Sequence, residues 1–329
     1  MTNLKKIGLT ALAASLVATS AFAGALSVSG GAKISHTTKG GNEDGDTGTA
    51  SSNSQGSPFG LQKSVGFSGS GELDNGHTVS LYHGTAAGGS HSSSILTYDM
   101  GDAGTIVYHD TSAALGIAKI DDLMPTADEE IWNGIGGTPV GRTNGPGTGF
   151  NYTNTSMDGV RVDIGYGSKS TGNESDDGGT SGAGGQKSAS SIAVQYTGID
   201  GANIFAGTGT KGAAGGLETD LDTYGFTYTM GGITVGAQRS ETDVTAASSD
   251  ITKTAYGIAF AVNDNLSVSY GSSESEKDGS TTDQELSGIS VGYSMGGISI
   301  KAHANEGENV ANTANNERAH TEIAVSFAF

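Results

Sequence analysis

The stretch Thr254-Ala255-Tyr256-Gly257-Ile258-Ala259-Phe260-Ala261-Val262-Asn263-Asp264-Asn265-Leu266-Ser267-Val268-Ser269-Tyr270 carries two apolar rows around one tight turn. Tyr256, Ile258, Phe260 and Val262 sit at every second position, and Leu266, Val268 and Tyr270 do so again after three polar residues. Successive side chains of an extended chain point to opposite faces, so a period of two predicts two strands, each with one apolar face. Asn263-Asp264-Asn265 leaves room only for a hairpin turn. The residues between the apolar positions are small or polar, so the second face is of a different kind.

The same alternation recurs along the chain. Further rows are Val160/Val162/Ile164/Tyr166, Ile192/Val194/Tyr196, Tyr224/Phe226/Tyr228/Met230, Ile233/Val235/Ala237, Ile289/Val291/Tyr293 and Thr321/Ile323/Val325/Phe327/Phe329. A soluble sandwich also alternates, and connection length separates the two cases. Short turns at 73–76, 99–104, 156–158, 198–201, 230–232, 263–265 and 294–297 alternate with long polar connections. The long ones fall roughly at 38–61, 86–91, 110–147, 168–188, 209–218, 240–251, 271–284 and 305–318. Turns thus gather at one end of the molecule and loops at the other. Strands are expected to start near 25, 62, 77, 92, 103, 148, 159, 188, 202, 217, 232, 252, 265, 284, 297 and 319. That makes about 16, an even number that puts both termini at the turn end, as in outer-membrane barrels. Closure follows from physics, because lipid leaves no partner for an unpaired N–H or C=O and tolerates no open sheet edge. A barrel of about 16 strands is wide enough to hold water along its axis. The expected fold class is therefore all-β: a transmembrane antiparallel β-barrel with short periplasmic turns and long outer loops.

Composition excludes most alternatives. The 329 residues include 55 Gly, 4 Pro and no Cys, with 34% hydrophobic and 6% aromatic residues. Collagen needs Gly at every third position with abundant Pro. A disulfide-stapled scaffold needs cysteines. A helical membrane protein needs repeated apolar runs of about 20 residues, which a mean hydropathy of -0.24 does not accommodate. The net charge of -19 repels nucleic acid, and no basic stripe offsets it. Regular spacing of the apolar residues argues against disorder.

The first 23 residues read as an export signal. Lys5 and Lys6 precede an apolar run from Ile7 to Val17, and Ala21-Phe22-Ala23 fits small-x-small cleavage after Ala23. Residues 24–329 then form the barrel domain.

The last strand ends on an aromatic residue, with Ile323, Val325, Phe327 and Phe329 alternating to the terminus. This ending is similar to the assembly signal of outer-membrane barrel proteins. With the opening Leu26-Ser27-Val28-Ser29-Gly30 and the hairpin Phe67-Ser68-Gly69-Ser70-Gly71-Glu72-Leu73-Asp74-Asn75-Gly76, the chain resembles the general diffusion porins of Gram-negative bacteria, most like those of alphaproteobacteria. The resemblance implies a homotrimer in the outer membrane, contact with its lipid, and insertion by the barrel-assembly machinery. It also implies passive diffusion of ions and small hydrophilic solutes, with no enzymatic step.

Loop 110–147 is the longest connection and carries the single Trp132 with Pro125, Pro139 and Pro146. Loops of this length are usually functional. Its apolar residues, Ala113, Ala114, Leu115, Ile117, Ile120, Leu123 and Met124, suit a short helix seated on a wall. It follows the fifth strand, and in the resembled family the third outer loop folds inward and forms the constriction. The resemblance therefore assigns an acidic rim to Asp110, Asp121, Asp122, Asp128, Glu129 and Glu130. Strand parity points Lys33, Arg161, Lys253 and Lys301 inward as the basic wall. This basic set is thinner than the family usually carries, and the enterobacterial loop motif Pro-Glu-Phe-Gly is absent. Together these lean the pore toward cations.

Neither His-Glu-x-x-His nor a phosphate loop is present, and the Gly-x-Ser-x-Gly spacings at 288–292 and 292–296 fall within the Ile289/Val291/Tyr293 strand row, so no nucleophile-base pair is nominated. The seven histidines (36, 77, 83, 91, 109, 303 and 320) are dispersed along the sequence, so no metal site or cofactor is expected. The acidic stretches 42–46 and 174–178 have the composition for weak Ca²⁺ binding but lack spaced ligands and a closing bidentate Glu. Two other readings remain. One is a substrate-selective porin, for which Trp132 and Tyr82 would serve as lumen aromatics. The other is an exported Gly-rich β-solenoid adhesin, which requires a fixed repeat that the unequal connections do not show.

Overall fold

The computed structural model describes residues 26–41, 57–85, 89–110, 114–136, 149–167, 188–212, 218–245 and 250–329. The export signal with Ala21 and Ala23, the acidic stretches 42–46 and 174–178, and residues 137–148 lie outside the described residues. Sixteen strands are described. The first eight are β1 (Ser27–Gly41), β2 (Phe59–Glu72), β3 (Thr78–Thr85), β4 (His91–Asp99), β5 (Thr105–His109), β6 (Gly149–Asn154), β7 (Val160–Gly167) and β8 (Ala189–Tyr196). The second eight are β9 (Ala202–Gly212), β10 (Glu218–Met230), β11 (Ile233–Val244), β12 (Ile251–Ala261), β13 (Leu266–Lys277), β14 (Gln284–Met295), β15 (Ile298–Glu308) and β16 (Arg318–Ala328). Each pairs antiparallel with its chain neighbours, and β1 pairs with β16 from Gly31↔Ala328 to Gly41↔Arg318, which closes the barrel. Phe329 completes the seam by exchanging backbone hydrogen bonds with Gly30 at 2.8 and 3.0 Å. A closed antiparallel sheet overturns the solenoid reading, whose coils would leave two open ends.

Every strand starts within three residues of its expected position. β5 and β6 are short, with 5 and 6 residues against 15 in β1. The reason is local. The chain leaves the wall after His109 to run inward, so the two strands flanking that departure are cut short.

Alternation sorts the side chains as a bilayer requires. Outward positions include Ile164, Ile192, Ile204, Phe226, Ile258, Phe260, Ile289 and Ile300, all exposed. This apolar surface far exceeds the roughly 300–600 Å² patch that a soluble monomer tolerates. Tyr108, Phe150 and Tyr166 lie outward toward the loop ends of their strands, and Tyr224 and Tyr256 at mid-strand; Phe67, Tyr196, Tyr228, Tyr270, Tyr293 and Phe327 lie toward the turn ends. The groups at the two ends are the aromatic girdles of an interface-spanning barrel. One-residue register carries Ser, Thr, Asn, Gln and His to the inner face.

A wet cylinder has no central core. The fully buried apolar side chains sit where one loop meets the inner wall. Ile120 packs on Ala193 and Phe205, and Ile135 packs with Ala255, Leu286 and Val310.

Candidate functional site

The inward segment begins with a 3₁₀ turn at Gly116–Lys119. Leu115, Ile117 and Ile120 are fully buried against the wall, so the apolar residues of the loop do seat a short helical turn there. Gly116 N–H donates to Asn151 Oδ1 (2.7 Å) and Ile117 N–H to Ser191 Oγ (3.0 Å). Further round, Gln238 Nε2 donates to the carbonyl of Ile120 (2.8 Å), and Ala127 N–H donates to Ser269 Oγ (2.9 Å). Asn305 Nδ2 donates to the carbonyls of Glu130 and Asn133, both at 3.1 Å, and Arg318 Nη1 to that of Ile135 at 2.9 Å. The third loop is therefore folded inward and follows the inner wall from β6 to β16. A net value of about 0.5–1.5 kcal/mol for each such bond makes the attachment collective.

Glycine makes room for it. A Cβ at Gly165 would stand 2.6 Å from Gly116 N, and one at Gly207 would stand 3.0 Å from Ile117 Cγ1. At Gly236 and Gly257 it would meet Pro125 Cδ at 2.8 and 2.9 Å, and at Gly271 Ile131 Cγ2 at 2.8 Å. Strands β7, β9 and β11 to β13 thus contribute a lane of bare backbone on which the loop lies.

The charged residues divide into groups that parity alone does not reveal. Lys33, Arg161, Lys253 and Lys301 all lie on inward positions, yet each is occupied or covered. Lys33 Nζ is 3.0 Å from Glu322 Oε1, Arg161 Nε is 2.6 Å from Asp163 Oδ2, and Lys301 Nζ is 3.5 Å from Asp128 Oδ1. Lys253 is only 5% exposed. Three of the four wall bases are thus paired with carboxylates and the fourth is buried, which differs from a row of open cations.

Two of the acids also differ from the expected rim. Asp110 stays at the end of β5, where its carboxylate accepts from Ser94 N–H (2.7 Å) and meets His91 Nε2 at 3.3 Å. It closes a strand end and does not enter the inward segment. Asp128 turns to the wall, with its side chain 8% exposed, between His303 and Lys301. Burial opposes ionisation of Asp128, but the hydrogen bond from His303 and the charge of Lys301 hold its carboxyl below its ordinary value. Asp121, Asp122, Glu129 and Glu130 lie on the inward segment with partial exposure. Glu129 and Glu130 border a cavity of ≈ 590 Å³ with Trp132, and Lys39 and Arg318 face it from β1 and β16.

Sequence reasoning missed Lys39, Arg318 and Lys119 as inner cations. The same parity that selected Lys33 places Lys39 inward, so that signal was present. Burial pulls the Lys119 ammonium below its ordinary value; Asp163 opposes the shift and Arg161 adds to it. Sequence spacing also hid the histidine pairs. His303 Nε2 lies 3.0 Å from His320 Nδ1 with the rings stacked, and His83 stacks on His91. Among the described residues no group of three His, Asp or Glu has metal-holding geometry. Trp132 packs into the Ile135 cluster as an anchor, and Tyr82 covers Gly66 and Gly84 on the inner face.

A closed sixteen-strand barrel, greasy outside and polar inside, with one loop laid along its bore, defines a membrane channel of the outer-membrane type. The sequence signature described as Gram-negative porin matches residues 8–313, and the chain belongs to that family. It is an outer-membrane porin. No curated protein sequence matches the chain. Among solved structures it is similar to the anion-selective porin from Comamonas acidovorans (12% identity, TM-score 0.67, covering 93% of this chain and 99% of that one). It is similar also to OmpT of Vibrio cholerae in its trimer form (14%, 0.63, 93% and 99%) and to a variant of Rh. blastica porin (15%, 0.62, 93% and 100%). At these identities the likeness is one of fold.

Proposed function

We propose that the protein is a passive channel for ions and small hydrophilic solutes, narrowed by its inward loop and selective for cations. The carrying observation is the pairing of the wall bases. With Lys33, Arg161 and Lys301 each bound to a carboxylate, their fields are largely cancelled. Glu129 and Glu130 then stand on the loop beside the bore, facing Lys39 and Arg318 across one cavity, and Asp121 and Asp122 further along the same segment leave the acids in excess. A confined low-dielectric passage amplifies such an excess, raising the local concentration of counter-ions. Solutes are sorted by size and charge, and no bond is made or broken, so the reading includes no enzymatic activity and no cofactor.

The trimeric form of the OmpT neighbour supports a homotrimer of this chain in the outer membrane. Cleavage after Ala23 and recognition of Ile323, Val325, Phe327 and Phe329 by the assembly machinery belong to the same reading.

The test is the reversal potential of the reconstituted protein across a planar bilayer under a salt gradient. The expected sign is that of cation permeability; a sign favouring anions refutes the selectivity.

A further inference from the structure

The loop tip is fastened to the wall through a chain of titratable groups. Asp128 Oδ2 lies 2.9 Å from His303 Nδ1, and His303 Nε2 lies 3.0 Å from His320 Nδ1. The two rings stack with centroids 5.1 Å apart and an interplanar angle of 25°. Both histidines are buried, at 3% and 4% exposure. Gly134 rests directly on the His320 ring, where a Cβ would overlap it. The loop thus touches this pair twice, through the Asp128 carboxylate and through the Gly134 backbone.

We propose that His303 and His320 are positioning residues that hold the loop tip on the wall as long as at least one of the two rings is neutral, and that protonation of both releases the tip into the lumen. The inference rests on the reading of the loop as the constriction. A hydrogen bond between Nε2 and Nδ1 needs one donor and one acceptor. The neutral pair, or the pair with one added proton, keeps a single hydrogen on this line and supplies both. Protonation of both rings sets N–H against N–H at 3.0 Å and places two positive charges in a buried site.

The surroundings decide which contact yields. Facing His303 are Asp128 from the loop, Lys301 on its own strand, Glu322 opposite on β16, and the uncharged Ser290 opposite on β14. Facing His320 are Lys39 opposite on β1, Arg318 and Glu322 on its own strand, and the uncharged Asn305 opposite on β15. Lys33 is occupied by Glu322. Glu129 and Glu130 on the loop share the adjoining cavity with Lys39 and Arg318. The strands are locked by a continuous ladder from Ile298↔Phe327 to Gly307↔Arg318. The His320 ring therefore gains distance by leaving the wall toward Gly134, and the loop tip gives way. Asp128, held below its ordinary value, keeps its charge through this range.

The experiment is single-channel recording of the full reconstituted protein from about pH 7.5 to about pH 5, the span in which imidazole titrates. The wild type is expected to spend about tenfold more time in reduced-conductance states at the acid end, the weight of one proton-linked unit. His320→Gln keeps a neutral hydrogen-bonding side chain and is expected to show the pH 7.5 conductance with no acid step. His303→Gln serves the same purpose if His320→Gln does not insert. His83→Gln, which alters the other stacked pair, is expected to keep the step. An acid step that survives in His320→Gln or His303→Gln, or that disappears in His83→Gln, overturns the inference. So does a wild-type channel that conducts normally with no step. Absence of any conductance from a folded barrel refutes instead the channel reading beneath it.

Discussion

Pro125 of the inward loop lies on Gly257 of β12 with no space for a side chain between them: a Cβ at Gly257 would stand 2.9 Å from Pro125 Cδ and 3.1 Å from its carbonyl oxygen. The loop is thus seated on bare backbone. Gly257→Val is expected to push the loop off the wall and into the bore, lowering single-channel conductance, at an overpacking cost of about 1–3 kcal/mol. Gly69→Ala, whose added methyl meets only Leu26 at 4.0 Å, serves as the control with unchanged conductance. Equal conductance in both variants would show that the loop does not set the opening.

The carboxylate of Asp163, fully buried, accepts from Arg161, Asn151 and Thr153. Removing its charge leaves the Arg161 guanidinium uncompensated at the lumen surface. Asp163→Asn is expected to move the reversal potential toward anions and to cost about 1–3 kcal/mol through weakened hydrogen bonds. Asp163→Asn combined with Arg161→Gln is expected to restore the wild-type potential.

Glu129 and Glu130 face the cavity that Lys39 and Arg318 border. The double change Glu129→Gln and Glu130→Gln is expected to reduce cation preference severalfold at low salt and less at high salt, because screening shortens the reach of exposed charges. A salt-independent preference would place the selecting charges elsewhere.

The Asp128 anchor has an acid limit of its own. Its folded value lies below its ordinary one, so its contribution is complete above the ordinary carboxyl value and is lost as pH falls through the depressed value. In a His320→Gln background, loop-linked channel noise is expected to stay flat down to about pH 4 and to rise below it. Asp128→Asn in that background is expected to show the noise at every pH. Noise that rises near neutrality in the His320→Gln background would assign the loop's release to another group.

The barrel was legible because its cause is local. Lipid outside and water inside impose a period of two on every strand, as in Tyr256/Ile258/Phe260, and turn length separates the two ends. Parity likewise sent Lys33, Arg161, Lys253 and Lys301 to the inner face. Parity does not say what stands opposite. The pairing of Lys301 with Asp128 joins residues 173 positions apart, and that of Lys33 with Glu322 spans 289 positions and depends on barrel closure. The glycine lane was hidden for the same reason: Gly236, Gly257 and Gly271 look like ordinary small residues until the loop is laid over them. His303 and His320 are 17 apart in sequence, and only the β15–β16 register brings them together.

Liposome swelling with uncharged sugars of increasing mass, using protein whose barrel is verified by faster gel migration before heating, tests the central claim most directly. An aqueous bore narrowed by the inward loop predicts rapid swelling with the smallest sugar and a steep fall with mass, with a further fall in Gly257→Val. Folded barrels that admit no sugar at all, or that admit large and small sugars at one rate, would contradict it.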